Sequence, residues 1–145
     1  MRALIQRVRW AAVEVDAREV GRIGPGMLVF LGVEREDDAA RADAIAARLL
    51  AYRVFADDGG RMNLDVRAAG GGVLLVSQFT LAADTTGGLR PGFSTAAAPE
   101  AANALYERVL GVLRESHAPV ASGIFGASMQ VSLCNDGPVT FLLQN

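Results

Sequence analysis

The run MLVFLGV, residues 27–33, decides the fold class, because it contains no polar side chain. GRIGPG, residues 21–26, precedes it and marks turns. A short apolar run bounded by turn residues predicts a buried central strand. Further upstream, MRALIQRVRW (1–10) and AAVEVD (11–16) alternate apolar and polar residues, which is the period of half-buried strands. The sequence thus predicts strands on the amino-terminal side of the first helix, with the last of them central.

Two later segments have the spacing of amphipathic helices. Asp37 and Asp38 offer N-caps for a helix at roughly 38–53, whose apolar stripe is Ala42, Ile45, Ala46, Leu49 and Leu50. Pro99 suits the first turn of a second helix that ends near His117. The apolar face of this second helix consists of Leu105, Tyr106, Val109, Leu110 and Leu113.

The remaining apolar segments have the composition of strands. They are VLLVSQFTL (73–81), residues 119–125, MQVSLC (129–134) and VTFLLQ (139–144). Strands, a helix, a strand, a helix and again strands, in that order, predict a single α+β domain over residues 1–145 with a mixed or antiparallel sheet.

Composition limits the kind of protein. The chain has 145 residues, 51% of them hydrophobic and 21% charged, and no apolar run approaches the ~20 residues that span a bilayer. Arginines near the start argue against a signal peptide, and the single cysteine, Cys134, suits a reducing cytoplasm. The net charge of −2 argues against a protein that coats nucleic acid non-specifically, but not against one that handles an RNA end.

Common catalytic motifs are absent. The chain has no HExxH, CxxC or GxxxxGK[ST] sequence, so we expect neither a metal nor another cofactor. The single histidine, His117, is interpreted as an exposed helix terminus, and Cys134 as a small buried residue. No pair of carboxylates stands out as a general acid and base.

SQFTL, residues 77–81, places polar side chains at the end of a buried strand. If the strand continues, Gln78 and Thr80 face one side and Ser77 the other. One interpretation is that the backbone of the next strand satisfies these groups. The other is a site of backbone amides, one amide side chain and two hydroxyls, which can hold an oxyanion and orient a water. Such a site suits an activated substrate better than a stable amide.

Two further segments contain unusual turn chemistry. Residues 82–98 form a long Gly- and Thr-rich stretch, and loops of this length are usually functional or mobile. In NDGPVT, residues 135–140, Asp136-Gly137 predicts a tight hairpin, yet Pro138 follows and cannot donate to a strand ladder. The segment is either a tolerant surface turn or a loop whose backbone has a function.

Together, SQFTLAADT, LRPGFS and NDGPVT resemble motifs of the D-aminoacyl-tRNA deacylases, the D-tyrosyl-tRNA(Tyr) deacylase family. The resemblance extends to ALIQRV, GVEREDD, YRVFADDGGRMNL and MQVSLCNDGPVTF and covers essentially the whole chain. Gly92 stands where we expect a serine in many relatives. The resemblance implies a barrel-like sheet with two main helices and a cytoplasmic homodimer whose active site lies at the subunit interface.

The implied activity is hydrolysis of the ester between a D-amino acid and the 3′-terminal adenosine of tRNA, and also of glycine mischarged on the tRNA for alanine. In such proteins the Gly-Pro peptide bond is cis and reaches into the partner's pocket. Here that bond is Gly137–Pro138, which would reject L-substrates through backbone carbonyls. Arg7 would hold this loop in place.

The resemblance also implies roles for residues of the hydrolytic pocket. Ser77, Gln78 and Thr80 would line it with Phe79, and Phe125 and Met129 would stack on the terminal adenine. We favour attack by water, helped by the substrate's 2′-hydroxyl, because no base lies beside Thr80 to make it a nucleophile. The alternatives are a deacylase for L-aminoacyl or glycyl esters on the same scaffold, and a non-catalytic dimeric module that binds an RNA end or an amino acid.

Overall fold

The apolar run at 27–33 lies in the middle of a curved sheet. The computed structural model describes residues 1–145. Its strands are β1 Arg2–Val15, β2 Arg18–Ile23, β3 Gly26–Gly32, β4 Phe55–Ala56, β5 Met62–Leu64, β6 Gly72–Ser77, β7 Val120–Ser122 and β8 Gln130–Gln144. Its helices are α1 Ala39–Ala51 and α2 Pro99–Ser116, and a 3-10 turn covers Phe79–Ala82.

The first two predicted strands are one strand, β1. It turns at Asp16 and Ala17, which have φ values of 50° and 59°, the backbone of a two-residue hairpin turn. The returning strand, β2, includes Gly21, which the sequence had suggested as a turn. A Cβ at Gly21 would lie 2.6 Å from the carbonyl oxygen of Ser122, so the glycine is explained by the close approach of β7.

The main sheet is mixed and almost closes on itself. Its order is β2-β1-β3-β6-β7, and β8 pairs with the other edge of β1. Strands β3, β6 and β7 are parallel to one another, whereas β1 is antiparallel to β2, β3 and β8. Because β2 and β7 also contact each other, the sheet curls into a barrel-like shape. The predicted α+β class with a barrel-like mixed sheet is confirmed.

Both helices pack on one face of this sheet. Asp38 caps α1 by accepting from the Arg41 amide at 2.9 Å, while Asp37 instead binds the amino group of Met1 at 2.6 Å. The five predicted stripe residues of α1 are all buried, and α2 buries Ala102, Tyr106, Val109, Leu110 and Leu113. Neither helix has the length and apolarity needed to cross a membrane.

The predicted hairpin at Asp136-Gly137 is wrong. Residues 130–135 and 140–144 both pair with β1 in the same direction, so the two predicted strands are halves of β8. Between them, residues 136–139 bulge out opposite Arg7. The Asn135 side chain closes this bulge by accepting from the Val139 amide at 2.8 Å and donating to the Val139 carbonyl oxygen at 3.2 Å. The side-chain amide of Asn135 thus bridges the two ends of the bulge within β8.

Candidate active site

A cavity of about 530 Å³ opens at the carboxyl ends of the parallel strands β3 and β6. Ligands commonly bind at such strand ends. Most of the lining is apolar, and it includes the first turns of α2. Five of the predicted site residues line this cavity, namely Ser77, Gln78, Phe79, Phe125 and Met129. Thr80, which was also expected on the lining, is exposed and lies outside it.

The chain leaves the sheet after Ser77, so the predicted strand over 73–81 is too long. The Gln78 amide donates to the Leu31 carbonyl oxygen at 2.8 Å, and the chain then enters the 3-10 turn at Phe79. A Cβ at Gly32 would lie 2.8 Å from the Cβ of Leu81, so only glycine lets this turn pack so closely on β3. The 3-10 turn, not the alternation of a strand, therefore determines where the side chains of Gln78 and Thr80 point.

Gln78 and Thr80 are hydrogen-bonded to each other. Nε2 of Gln78 donates to Oγ1 of Thr80, which leaves the Thr80 O–H free to donate elsewhere. The opening N–H groups of a helical turn have no acceptor within it, and here they belong to the residues that follow Gln78. The site therefore collects hydrogen-bond donors, the arrangement that stabilises an oxyanion.

No general base lines the cavity. Nε2 of His117 lies 2.8 Å from the carbonyl oxygen of Gly71, beside the start of β6, whereas the cavity is at the end of that strand. The cavity lining contains no carboxylate. Nowhere does the chain bring together three or more His, Cys, Asp or Glu side chains that could hold a metal ion.

The cavity is also lined by Tyr106 and Phe93, which the sequence does not predict as site residues. Helical spacing predicts Tyr106 as a core residue, and it is buried, with its hydroxyl donating to the Leu75 carbonyl oxygen at 3.0 Å. Burial raises the pKa of Tyr106 to about 12. Phe93 comes from the long loop, for which only a general functional role was expected. Helical spacing cannot distinguish a core residue from one that lines a cavity, so the sequence does not identify Tyr106 as a site residue.

The Gly137–Pro138 bond is cis, and both residues are exposed. Arg7 Nε donates to the Asp136 carbonyl oxygen at 2.9 Å, so Arg7 does contact the bulge. Arg7 is paired with Met27 at the start of β3, whereas the cavity lies beyond Leu31. That separation is roughly 13 Å along the strand. Within one chain, the bulge and the cavity are not in contact.

Comparison with known proteins agrees with this geometry. The profile of the family described as D-Tyr-tRNA(Tyr) deacylase matches residues 4–144. The chain belongs to this family. A D-aminoacyl-tRNA deacylase of Stutzerimonas stutzeri is 60% identical over 145 residues, with all of both chains covered. One of Azotobacter vinelandii is 59% identical over 144 residues and 99% of each chain.

Solved structures give the same fold. The c-Myc DNA unwinding element binding protein matches this deacylase-family chain with a TM-score of 0.95 and 37% identity, over 100% of this chain and 99% of that one. A probable eukaryotic D-amino acid tRNA deacylase matches with a TM-score of 0.85 over 98% and 97% of the two chains. At 17% identity, the second match bears on the fold alone. The predicted family is confirmed.

Proposed function

We infer that this chain hydrolyses the ester bond of D-aminoacyl-tRNA and releases the free D-amino acid and tRNA. The observation that carries this inference is a cavity with several hydrogen-bond donors and no base, in a chain of the deacylase family. An aminoacyl ester suits such a site, because the substrate's α-ammonium and neighbouring ribose hydroxyl already activate it. The reaction takes place where tRNA is charged, which for this chain is the cytoplasm.

In the reaction, a water attacks the ester carbonyl carbon with help from the substrate's 2′-hydroxyl. The carbonyl oxygen becomes an oxyanion, which accepts from the Thr80 hydroxyl and from backbone amides of the 3-10 turn. The bond to the ribose 3′-oxygen then breaks, and that oxygen takes the proton that the attacking water gives up, relayed by the 2′-hydroxyl. Ser77 and Gln78 line the cavity, and the Gln78 side chain holds the Thr80 hydroxyl in place by donating to it.

The apolar part of the cavity suits the terminal adenosine. The Phe125 ring packs 5.8 Å from the ring of Tyr106, which fixes one aromatic wall, and Met129 lies on the same lining. Adenine stacks on such surfaces through its π-face. Phe125 and Met129 therefore hold the nucleoside while the ester lies near Thr80.

Selection against L-substrates comes from the Gly137–Pro138 loop of a second chain. The loop is exposed and lies away from its own cavity, so it can serve a cavity only across an interface between two copies. Its backbone carbonyls accept from the substrate's α-ammonium and crowd the direction of an L side chain. Glycine has no side chain on either face, so a glycyl ester, such as one mischarged on the tRNA for alanine, also passes.

The test is deacylation of matched D- and L-tyrosyl-tRNA by the purified protein. We expect rapid loss of the D-ester and an L-ester that decays at the rate without protein. Equal or preferred hydrolysis of the L-ester would favour a deacylase of different chirality. Stable binding of both esters without turnover would favour a module that only binds RNA ends.

A further inference from the structure

Two large aromatic side chains are exposed side by side at the mouth of the cavity. Phe79 is 61% exposed and Phe93 is 44% exposed, and their ring centroids lie 5.1 Å apart. Both also line the cavity. Exposed aromatic rings that lie next to each other at the edge of a ligand cavity are typical of an interaction surface.

The backbone around Phe93 is well anchored. Gly92 and Asp84 exchange two backbone hydrogen bonds, at 2.9 and 2.8 Å, and the Ala96 amide donates to the Phe93 carbonyl oxygen at 3.1 Å. The Thr95 hydroxyl also donates to the Ala82 carbonyl oxygen. These bonds hold the backbone that carries Phe93 beside the 3-10 turn, where the Phe93 ring contacts the ring of Phe79.

A polar cleft adjoins the aromatic pair. It is lined by Glu34, Arg35, Glu36, Arg41, Ser94 and Thr95, and the Arg35 amide donates to the Thr95 carbonyl oxygen at 2.9 Å. Glu34 is neutralised by Arg2 at 2.9 Å and by the amino group of Met1 at 3.1 Å. Arg35 makes no ion pair, so its guanidinium is available to a ligand anion.

We propose that this surface is a subsite for the single-stranded nucleotide that precedes the terminal adenosine of the tRNA. Its base stacks on the Phe79–Phe93 pair, and its phosphate binds Arg35. Aromatic platforms beside cations are how proteins bind single-stranded RNA. The inference rests on the proposed function, since the chain of the RNA must leave the cavity through this mouth once its last nucleoside is inside.

The first test is Phe93→Leu, assayed with D-tyrosyl-tRNA and with the 3′-ester of D-tyrosine and adenosine alone. We expect the KM for the tRNA to rise about tenfold, equivalent to about 1.4 kcal/mol. The adenosine ester should show a much smaller rise in KM, because it lacks the preceding nucleotide. Leu89→Ala is the matched control: Leu89 is fully exposed on the same loop and should leave both substrates unaffected.

The second test uses neighbouring charges of opposite sign. Arg35→Gln should raise the KM for tRNA and lower its dependence on the logarithm of salt concentration by about 0.7, the value for one single-strand phosphate. Glu36→Gln should lower that KM, because Glu36 lines the same cleft and makes no ion pair. Arg18→Gln, on β2, is the control for loss of a positive charge elsewhere.

Binding of uncharged tRNA separates failure of the subsite from failure of the proposed function. The subsite predicts weaker binding by Phe93→Leu than by the wild type, whatever the turnover. Equal binding, or an equal loss with tRNA and adenosine ester, would overturn it. The subsite would also be overturned if Phe93→Leu sedimented differently from the wild type, because a second copy of the chain would then cover the aromatic pair. Absence of turnover by the wild type would refute the proposed function alone.

Discussion

Arg7 Nε donates to the carbonyl oxygen of Asp136 at 2.9 Å, from the β1 residue that the bulge of residues 136–139 faces. The Nη1 of Arg7 also donates to the Val54 carbonyl oxygen at 2.6 Å. One mostly buried guanidinium thus ties the Gly137–Pro138 loop to the segment that follows α1.

Arg7→Met should loosen this loop. Two carbonyl oxygens lose a charged donor, so we expect the free energy of unfolding to fall by about 1–3 kcal/mol. Urea denaturation measures that loss, and deacylation of the D- and L-esters measures a fall in both D-turnover and chiral selectivity. Arg9→Met is the control: Arg9 is exposed and approaches only the Asp136 carboxylate, at 3.4 Å, so its loss should change stability by no more than about 0.5 kcal/mol.

Gly137→Ala should deform the loop itself. The added Cβ would lie 2.6 Å from the Val139 nitrogen, which is too close for the backbone to stay in place. We expect D-turnover to fall by a factor that corresponds to about 1–3 kcal/mol. Gly111→Ala has open space within α2 and should raise stability by about 0.5–1 kcal/mol with unchanged turnover. Wild-type turnover by Gly137→Ala would mean that the loop does not meet the substrate.

Thr80 is expected to act as a hydrogen-bond donor. Thr80→Ser keeps the hydroxyl and should keep most of kcat, whereas Thr80→Val should lower kcat by about 10²-fold, the usual effect of removing one oxyanion donor. Single-turnover deacylation at saturating protein measures this difference. His117→Ala should have a near wild-type kcat, because the His117 ring is hydrogen-bonded to the Gly71 carbonyl oxygen, away from the cavity. A collapse of kcat in that variant, with folding intact, would indicate a base-assisted mechanism.

Tyr106 gives the fold a dependence on alkaline pH. Its pKa is raised from 10.0 to about 12 in the folded chain, so unfolding releases a proton between those values. The contribution to stability is therefore complete below pH 10 and is lost as the pH rises toward about 12. Denaturation at stepped pH should show this loss in the wild type and a smaller one in Tyr106→Phe. An equal loss in both would place the titrating group elsewhere.

Sequence patterns predicted those strands and helices that are determined by the residues within them. The apolar run at 27–33 and the two helix stripes lie where expected, because burial on one face determines each of them. The two wrong predictions, the hairpin at Asp136-Gly137 and the end of β6, depend on residues far away in the sequence. β8 bulges rather than turning back because β1 is long enough to pair with both of its halves, and β6 ends early because a turn packs on Gly32. The sequence within NDGPVT does not indicate the length of β1, and the sequence within SQFTL does not indicate that the 3-10 turn packs on Gly32.

In the proposed dimer, the loop of one chain completes the cavity of the other, and a mixed dimer tests this arrangement most directly. One chain carries Gly137→Ala, the other carries Thr80→Val, and two different affinity tags isolate the mixed species. If the sites are shared, one site combines two defects and the other has none, so the mixed dimer should regain about half of wild-type D-turnover. If each chain works with its own loop, both sites are defective. A mixed dimer no more active than the two variant dimers, or a wild-type chain that sediments as an active monomer, would contradict the account.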